Sequence, residues 1–179
     1  MESLEGKRIL FREILTKAVV GRGRKYVQNS HRITPEHTPT GVLGLWVIGH
    51  VFSGRRVDDA VEVEGSYEVN AWYAYDNNTK TDVAKATLTY RARIPLGYLD
   101  PDRVEDLLMV RVSQLEAPHA VEARVVDGEI AMTVAMELEA ELVGETRLCV
   151  VVAPDACAFP GEKEKKDPVE DDLFADELD

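Results

Sequence analysis

Residues 61–75 alternate between apolar and polar side chains, and no other feature constrains the fold of this chain as strongly. Valine, tyrosine and alanine occupy one side of the pattern, whereas three glutamates and an asparagine occupy the other. A period of two is typical of a β-strand that buries one face. Residues 80–94 show the same period, so the sequence predicts two long strands in succession.

The segment between these strands, residues 76–79, has the sequence Asp-Asn-Asn-Thr, which is rich in turn-forming residues. A four-residue hairpin loop there would pair Tyr75 with Lys80 and thereby fix every other pair of the two strands. In this register apolar residues face small or apolar residues, whereas a shift of one residue would place arginines opposite the core. The predicted pairs include Tyr67 with Leu88, Gly65 with Tyr90, Glu64 with Arg91 and Trp72 with Val83.

Asp127-Gly128 separates two further alternating segments and is a strong signal for a two-residue hairpin turn. The register that follows pairs Val125 with Ile130, Ala123 with Met132 and Val121 with Val134. Further strands are predicted over residues 42–52, 107–115 and 146–152, whereas residues 9–20 fit either a short helix or a strand. Six to eight strands at this spacing predict an all-β, mainly antiparallel fold, either a β-sandwich or an open barrel.

The formal net charge of −12 is distributed unevenly over the 179 residues. Residues 1–32 carry eight bases against three acids, and residues 33–160 carry a net charge of −11. Residues 161–179 carry three bases against nine acids, and prolines are frequent from Pro154 to Pro168. Since mutual repulsion and proline oppose folding, we expect a β domain over residues 1–158 and a disordered acidic tail over residues 159–179.

The composition excludes several classes of protein. A strongly negative chain is a poor match for nucleic acid as the main partner. No apolar run approaches the roughly 18 residues that a membrane helix needs, and the acidic first residues do not resemble a secretory signal, so we expect a cytosolic protein without membrane insertion. Two cysteines, Cys149 and Cys157, are too few for a disulfide scaffold and lack zinc-ligand spacing. Of the two, Cys157 is the better candidate for an intermolecular bond.

The sequence offers little for catalysis. We predict no catalytic residue, because no serine, cysteine or histidine lies in a nucleophile-elbow context. We predict no metal ion and no cofactor, because the four histidines are scattered outside any compact ligand motif: His31, His37, His50 and His119. The remaining alternative is a row of carboxylates on one strand face, about 7 Å apart along the strand, which could serve a hydrolytic or carbohydrate-binding module or keep a strand face solvated. The row consists of Glu137, Glu139 and Glu141.

Three features favour interaction with other proteins. The basic segment Gly21–Lys25 presents Arg22, Arg24 and Lys25 on a predicted loop, which suits an acidic partner as well as a solvated bend. Trp72 stands on the polar face of its strand, where it either lies under a second layer or anchors a partner. The acidic tail contains apolar residues that could fold against a partner. Its candidate residues are Asp171, Asp172, Leu173, Phe174 and Leu178.

Several blocks of the chain, in order, resemble the outer spore coat protein E (CotE) family of endospore-forming bacteria. The resemblance covers residues 12 to 152, and an acidic C-terminal tail is also expected of that family. The blocks are Arg12–Val20, Gly23–Lys25, Gly44–Ile48 with His50, Val61–Gly65, Asn70–Tyr73, Asn78–Thr81 and Val143–Thr146.

The resemblance implies a morphogenetic scaffold rather than an enzyme. Such a protein is made in the mother-cell cytoplasm, settles in the spore coat at the forespore surface, self-associates and recruits outer coat proteins. It is expected to dock onto the inner-coat basement layer, which a morphogenetic ATPase builds. The charge layout favours the same reading, because the basic segment 7–32 could attract acidic surfaces of another copy and build an open array.

Overall fold

The computed structural model describes residues 10–105 and 108–152, which form seven β-strands and no α-helix. A four-stranded sheet has the order β5-β1-β7-β6, and a three-stranded sheet has the order β2-β3-β4. The predicted all-β, antiparallel fold is confirmed. The strands are β1 Leu10–Ile33, β2 Gly41–Val57, β3 Ala60–Tyr75, β4 Lys80–Pro95, β5 Tyr98–Leu99, β6 Met109–Val126 and β7 Glu129–Val152.

The two sheets share one hydrophobic core within the compact unit Ile14–Leu148. Val20 and Val27 of β1 and Leu138 of β7 contribute from one sheet, whereas Tyr67 and Val69 of β3 contribute from the other. All five side chains are at least 95% buried. Because two separate sheets enclose the core, this unit is a β-sandwich, the first of the two predicted architectures.

The β3–β4 hairpin has the predicted register along its whole length, from Tyr75 opposite Lys80 to Ala60 opposite Pro95. Its loop is built from three residues with positive φ, 51° at Asp76, 54° at Asn77 and 65° at Asn78. Asn and Asp tolerate this left-handed backbone better than most residues, which explains why this tetrapeptide closes the hairpin.

Gly65 lies opposite Tyr90, as predicted. A Cβ atom at Gly65 would lie 2.6 Å from a ring carbon of Tyr90, so the missing side chain makes room for the tyrosine ring. The hairpin therefore admits a large aromatic residue into the core at the one position where its partner strand has no side chain.

The strand β2 contains two bulges, between Val42 and Gly44 and between Ile48 and Val51. Gly49, in the second bulge, has a φ of 64°, a backbone conformation that glycine adopts at little cost. The bulge brings both His50 and Phe52 toward the interior, where each contacts other aromatic rings. Before the bulge, Trp46 points outward, a direction that the sequence pattern alone does not assign.

The β6–β7 hairpin turns at Asp127-Gly128, with φ of 54° and 80°, and it pairs Val125 with Ile130 and Ala123 with Met132 as predicted. The predicted pair of Val121 with Val134 is wrong, because Val134 pairs with Ala120. An irregularity between Ala120 and Glu122 leaves Val121 out of the ladder and 53% exposed. Beyond the turn, β7 runs without a break through Gly144, so the separate strand predicted over residues 146–152 is part of β7.

Of the two predictions for residues 9–20, the short helix is wrong for the described residues 10–20, which belong to β1. This strand lies next to β7 in the sheet, and the two-residue strand β5 pairs with Gly21 and Arg22 on its other edge. The β-branched residues Val19 and Val20 suit such a position, and Val20 is fully buried. Packing against neighbouring strands decides here between two readings that local sequence leaves open.

The basic segment Gly21–Lys25 is also part of β1 and not a loop. Gly21 and Gly23 are buried, and a Cβ atom at Gly23 would collide with the carbonyl oxygen of Pro95. The glycines therefore permit close packing of an extended strand instead of a bend. Arg22 and Arg24 alternate with them and point to the opposite side.

The expected boundary near residue 158, the acidic tail over 159–179 and Cys157 all lie outside the described residues. The second compact unit includes the extended residues 10–13 and 149–152, in which Phe11 is 64% exposed and Cys149 is exposed. In the part of the chain that the structure describes, no helix has the length and apolar character required to cross a membrane.

Candidate interaction surface

The outward face of the β2-β3-β4 sheet carries four exposed apolar side chains that lie next to one another. We name this cluster the tryptophan face. Single exposed apolar residues are common on protein surfaces, whereas a group of them on one sheet face is a candidate contact site. Its members, with their exposed fractions, are Trp46 (52%), Ile48 (52%), Trp72 (41%) and Val83 (42%).

The register of the three strands places the two tryptophans at diagonal positions on neighbouring strands. Trp72 of β3 lies opposite Val83 of β4 on one side and opposite Gly44 of β2 on the other. Gly44 leaves a gap that the neighbouring ring fills, since a Cβ atom there would lie 3.4 Å from the ring of Trp46. The ring of Trp46 thus extends toward Gly44, the residue opposite Trp72. The predicted outward position of Trp72 and its pairing with Val83 are confirmed.

Polar residues border the tryptophan face along the same strands. Asn70 lies opposite Trp46 and Glu68 lies opposite Ile48, and the side-chain amide of Asn70 donates to Glu68 Oε1 at 2.9 Å. Lys85 lies opposite Asn70 on β4. Within the described residues, neither Glu68 nor Lys85 has an ion-pair partner. Apolar and polar side chains therefore alternate across the face, and protein interfaces commonly contain both kinds.

The predicted basic residues Arg22 and Arg24 contact acidic residues of their own chain. Arg22 donates from Nε and Nη2 to Glu141 Oε1 at 3.1 and 2.6 Å, and Arg24 Nε donates to Glu139 Oε1 at 2.7 Å. The hydrogen bond to Glu139, with its negative charge, raises the pKa of Arg24 above its ordinary value. We refer to these four residues as the arginine–glutamate ladder. Lys25, the third predicted basic residue, donates instead to the carbonyl oxygen of Arg93 at 2.9 Å.

Two of the three carboxylates in the row considered for hydrolysis, Glu139 and Glu141, are therefore paired with arginines. The side chains of Glu139 and Glu141 are only 13% and 12% exposed, and Arg111 approaches the second oxygen of Glu141 at 3.7 Å. A substrate or a catalytic water would have to displace a guanidinium group from each carboxylate. The geometry is that of a structural ion-pair network between β1, β7 and β6.

A comparison with protein-family models decides the identity of the family. The model of outer spore coat protein E (CotE) matches residues 10–179 of this chain. The chain belongs to the CotE family. This match agrees with the resemblance seen in the sequence and extends beyond it at the C-terminal side. It makes the chain an outer spore coat protein, and a structural coat family is consistent with the prediction that the chain is not an enzyme.

Two other comparisons give no relative of this CotE protein. Neither the curated proteins nor the solved structures contain a significant match to the chain. The surfaces described above therefore rest on the residues of this chain itself.

A buried polar cluster lies behind the tryptophan face, and sequence reasoning missed it. Nε2 of His50 and the hydroxyl of Tyr90 share a hydrogen bond of 2.7 Å, and His31 Nε2 and the hydroxyl of Tyr67 share another of 2.7 Å. Burial raises the pKa of Tyr67 and raises that of Tyr90 to about 12, whereas burial lowers the pKa of His31. The inward register of both tyrosines was a usable signal, because a buried hydroxyl needs a partner.

His50 also connects the two sheets. Its Nδ1 atom shares a hydrogen bond of 2.6 Å with Gln114 Oε1 of β6, while its Nε2 atom reaches Tyr90 of β4. These contacts hold the β2 bulge against β6 of the other sheet and against β4 of its own sheet. The cluster thus supports the sheet that carries the tryptophan face rather than forming an open site.

The remaining predicted interaction residues belong to the tail. Asp171, Asp172, Leu173, Phe174 and Leu178 all lie outside the described residues. Their role stays a prediction.

Proposed function

We propose that this CotE family protein is a self-associating scaffold of the outer spore coat that recruits other coat proteins. The observation that carries the proposal is the tryptophan face, a flat apolar surface on a sheet whose other face is the core. Two tryptophans at the centre of such a patch are typical of the residues that dominate binding energy in protein interfaces.

The occupant of the tryptophan face that we favour is the tryptophan face of a second copy. A two-fold contact requires a surface that complements itself. This face carries one acid, Glu68, and one base, Lys85, on neighbouring strands, and neither has an ion-pair partner in the described part of the chain. Packing two such faces antiparallel would set Glu68 of one copy near Lys85 of the other and would fix their orientation.

The basic segment 7–32 has a smaller part in this proposal. Arg22 and Arg24 form the arginine–glutamate ladder, and Arg32 lies 3.9 Å from Asp127 and 3.7 Å from Glu129. Charges that are neutralised within one chain attract a second copy only weakly. We therefore expect contact between the basic segment and acidic surfaces to assist assembly, with the apolar contact as its main source.

Recruitment is proposed for the acidic tail. Leu173, Phe174 and Leu178 stand among carboxylates, a composition that suits folding on a partner with an apolar groove and basic border. Outer coat proteins are the proposed clients, and the basement layer with its morphogenetic ATPase is the proposed docking site. We also propose that the protein is synthesised in the mother-cell cytoplasm and is then deposited on the forespore.

The self-association test is light scattering of the purified full chain over a range of protein and salt concentrations. We expect a dimer whose fraction rises with protein concentration and persists at 1 M salt, because a two-fold contact closes on itself and apolar contacts are insensitive to screening. A strict monomer under all conditions would overturn self-association. Oligomers that dissociate at high salt would instead assign assembly to the basic segment.

The recruitment test is deletion of residues 161–179. We expect the truncated chain to keep its thermal stability and its oligomers but to bind fewer outer coat proteins. A large loss of thermal stability, or unchanged binding of every coat protein, would contradict the assignment of recruitment to the tail.

Carbohydrate binding is the second candidate, and one observation favours it. Exposed indoles on a flat sheet face are also the side chains that stack on sugar rings, whereas the glutamate row is occupied by arginines. Titration of the chain with polysaccharide, with tryptophan fluorescence as the readout, separates the two. Saturable quenching by polysaccharide together with a monomeric chain would reverse our order of preference.

A further inference from the structure

A group of three potential metal ligands lies at the loop end of the β3–β4 hairpin, where Asp82 is on the opposite side of β4 from Val83 of the tryptophan face. Glu36 and His37 belong to the connection between β1 and β2, and Asp82 belongs to β4. One ligand atom from each of the three residues lies within 4.8 Å of the others. The sequence keeps His37 and Asp82 forty-five positions apart, so only the fold brings them together.

Asp82 is unusual for its position. It lies opposite the buried Tyr73, at a register position where the alternation of β4 calls for an inward, apolar residue such as Ala84 or Ala86. Moreover, no Lys or Arg forms an ion pair with Asp82 or Glu36 within the described residues, although most other surface acids named above have such a partner. Two carboxyl groups close together without a cation carry an electrostatic cost that a bound cation would remove.

The ligand side chains are held in place by their neighbours. The ring of His37 stacks on that of Tyr75, with centroids 4.2 Å apart and planes inclined by 16°. Asp82 accepts a hydrogen bond from the backbone N–H of Val83 at 2.7 Å and another from the hydroxyl of Tyr73 at 3.4 Å. Metal sites commonly use such outer contacts to orient their ligands.

The connection that carries Glu36 and His37 is itself anchored. The backbone N–H of His37 donates to the hydroxyl of Tyr73 at 3.3 Å, and Thr40 N–H donates to the carbonyl oxygen of Ala74 at 2.7 Å. Pro35 and Pro39 restrict the backbone on both sides of the ligands. Glu36 is exposed and can rotate, which matters because tetrahedral metal–ligand bonds of about 2.0–2.1 Å require the three atoms to approach one another by up to about 1.5 Å.

We infer that Glu36, His37 and Asp82 form a binding site for Zn²⁺ or a similar divalent transition-metal ion. An imidazole together with two carboxylates suits Zn²⁺, whereas Ca²⁺ and Mg²⁺ prefer sites made of oxygen atoms alone. Three protein ligands leave a coordination position for water or for a group from another molecule. The ion would tie the β1–β2 connection to β4. This inference does not depend on the proposed scaffold function.

The test is calorimetric titration of the full chain with zinc chloride at neutral pH. Cys149 and Cys157 are first changed to serine, because thiolates bind zinc and would obscure the site. We expect one equivalent of zinc to bind and to raise the melting temperature, with magnesium giving neither effect. Absence of saturable zinc binding in this chain would overturn the inference.

Variants identify the ligands. His37→Ala and Asp82→Asn should each weaken zinc binding at least about tenfold, and circular dichroism should show that both remain folded. His119→Ala is the matched control, because His119 lies 3.6 Å from Glu116 but in no group of three ligands found among the described residues. Asp82→Asn keeps the size of the side chain, so its zinc affinity still tests the site if His37→Ala fails to fold. Equal zinc affinity in the control and in both ligand variants would place the ion elsewhere and overturn the assignment.

Discussion

The two sheets of this protein present outward faces of opposite character, although both arise from the same alternation of residues. On β1 and β7, outward arginines meet outward glutamates at 2.6 and 2.7 Å, and the charges are matched within the chain. On β2, β3 and β4, the outward row includes two tryptophans, an isoleucine and a valine that remain 41–52% exposed. The charged groups of the first face are paired within the chain, whereas the apolar groups of the second are only about half covered by it.

This difference teaches that charge alone does not locate an interaction surface. The cluster Arg22–Lys25 is the most conspicuous basic feature of the sequence, yet its three bases contact acceptors of their own chain. Trp46 and Trp72 are inconspicuous in composition, yet they lie together across β2 and β3. Covering an exposed apolar group with a partner lowers the free energy of the complex. A charge that is already paired must first be separated from its own partner, which costs free energy.

The largest expected effect is on assembly. Changing both Trp46→Ser and Trp72→Ser should weaken self-association by at least about tenfold per residue, because buried indoles dominate interface energies. The melting temperature should change little, since both side chains are already partly in water. Sedimentation velocity over a range of concentrations measures the first effect, and circular dichroism on heating measures the second.

The matched control is Tyr26→Ser, because Tyr26 of β1 is 51% exposed but lies outside the tryptophan face. It should leave association unchanged. If the tryptophan variant associates as strongly as the wild type, the comparison between the faces fails as a guide to function.

The sequence predicted much of the tryptophan face but not all of it. The hairpin loop Asp76–Thr79 fixed the register of β3 and β4, and with it the outward position of Trp72, because a loop of defined length leaves only one pairing. The outward direction of Trp46 could not be predicted from the sequence in the same way. It depends on bulges in β2, and a bulge shifts the alternation by one residue without any mark as strong as an Asp-Gly turn.

The arginine–glutamate ladder was beyond sequence reasoning for a different reason. Its members are separated by 119 and 115 positions, and they meet only because β1 is a strand next to β7. Local pattern left residues 9–20 open between helix and strand and favoured a loop for Gly21–Lys25. The packing of Gly23 against Pro95, which makes an extended strand fit there, involves a residue far along the chain.

A second experiment addresses the paired face. Changing Glu139→Gln and Glu141→Gln together should lower the free energy of unfolding by about 1–2 kcal/mol, because two arginines lose their carboxylate partners. The value is modest since the arginine side chains are 51% and 59% exposed. Urea unfolding gives the stability, and self-association should remain as in the wild type.

Glu64→Gln serves for comparison, because Glu64 and its partner Arg91 are 49% and 82% exposed. Its effect on the free energy of unfolding should stay below about 0.5 kcal/mol. A loss of assembly in the Glu139 and Glu141 variant at unchanged stability would mean that the paired face, too, contacts another copy.

A third experiment sharpens the orientation of the proposed contact. Lys85→Glu should weaken self-association several-fold, since it places acids near acids across the two-fold contact. Combining Lys85→Glu with Glu68→Lys restores opposite charges and should recover most of the loss. Recovery in the double variant supports an antiparallel contact, whereas additive losses would rule out the pairing of these two residues.

The smallest expected effect concerns acid conditions and separates the surface from the interior. Burial lowers the pKa of His31 below its ordinary value of 6.5, so the unfolded chain binds a proton more readily than the folded chain. The stability that neutral His31 contributes is therefore complete above about pH 6.5 and declines as the pH falls through that value. His31→Gln should reduce this decline in melting temperature between pH 7 and pH 5.

Since His31 lies behind the sheet and bonds Tyr67, association through the tryptophan face should weaken only where the fold itself melts. Dissociation at a pH where circular dichroism shows an intact fold would instead assign a titrating group to the interface.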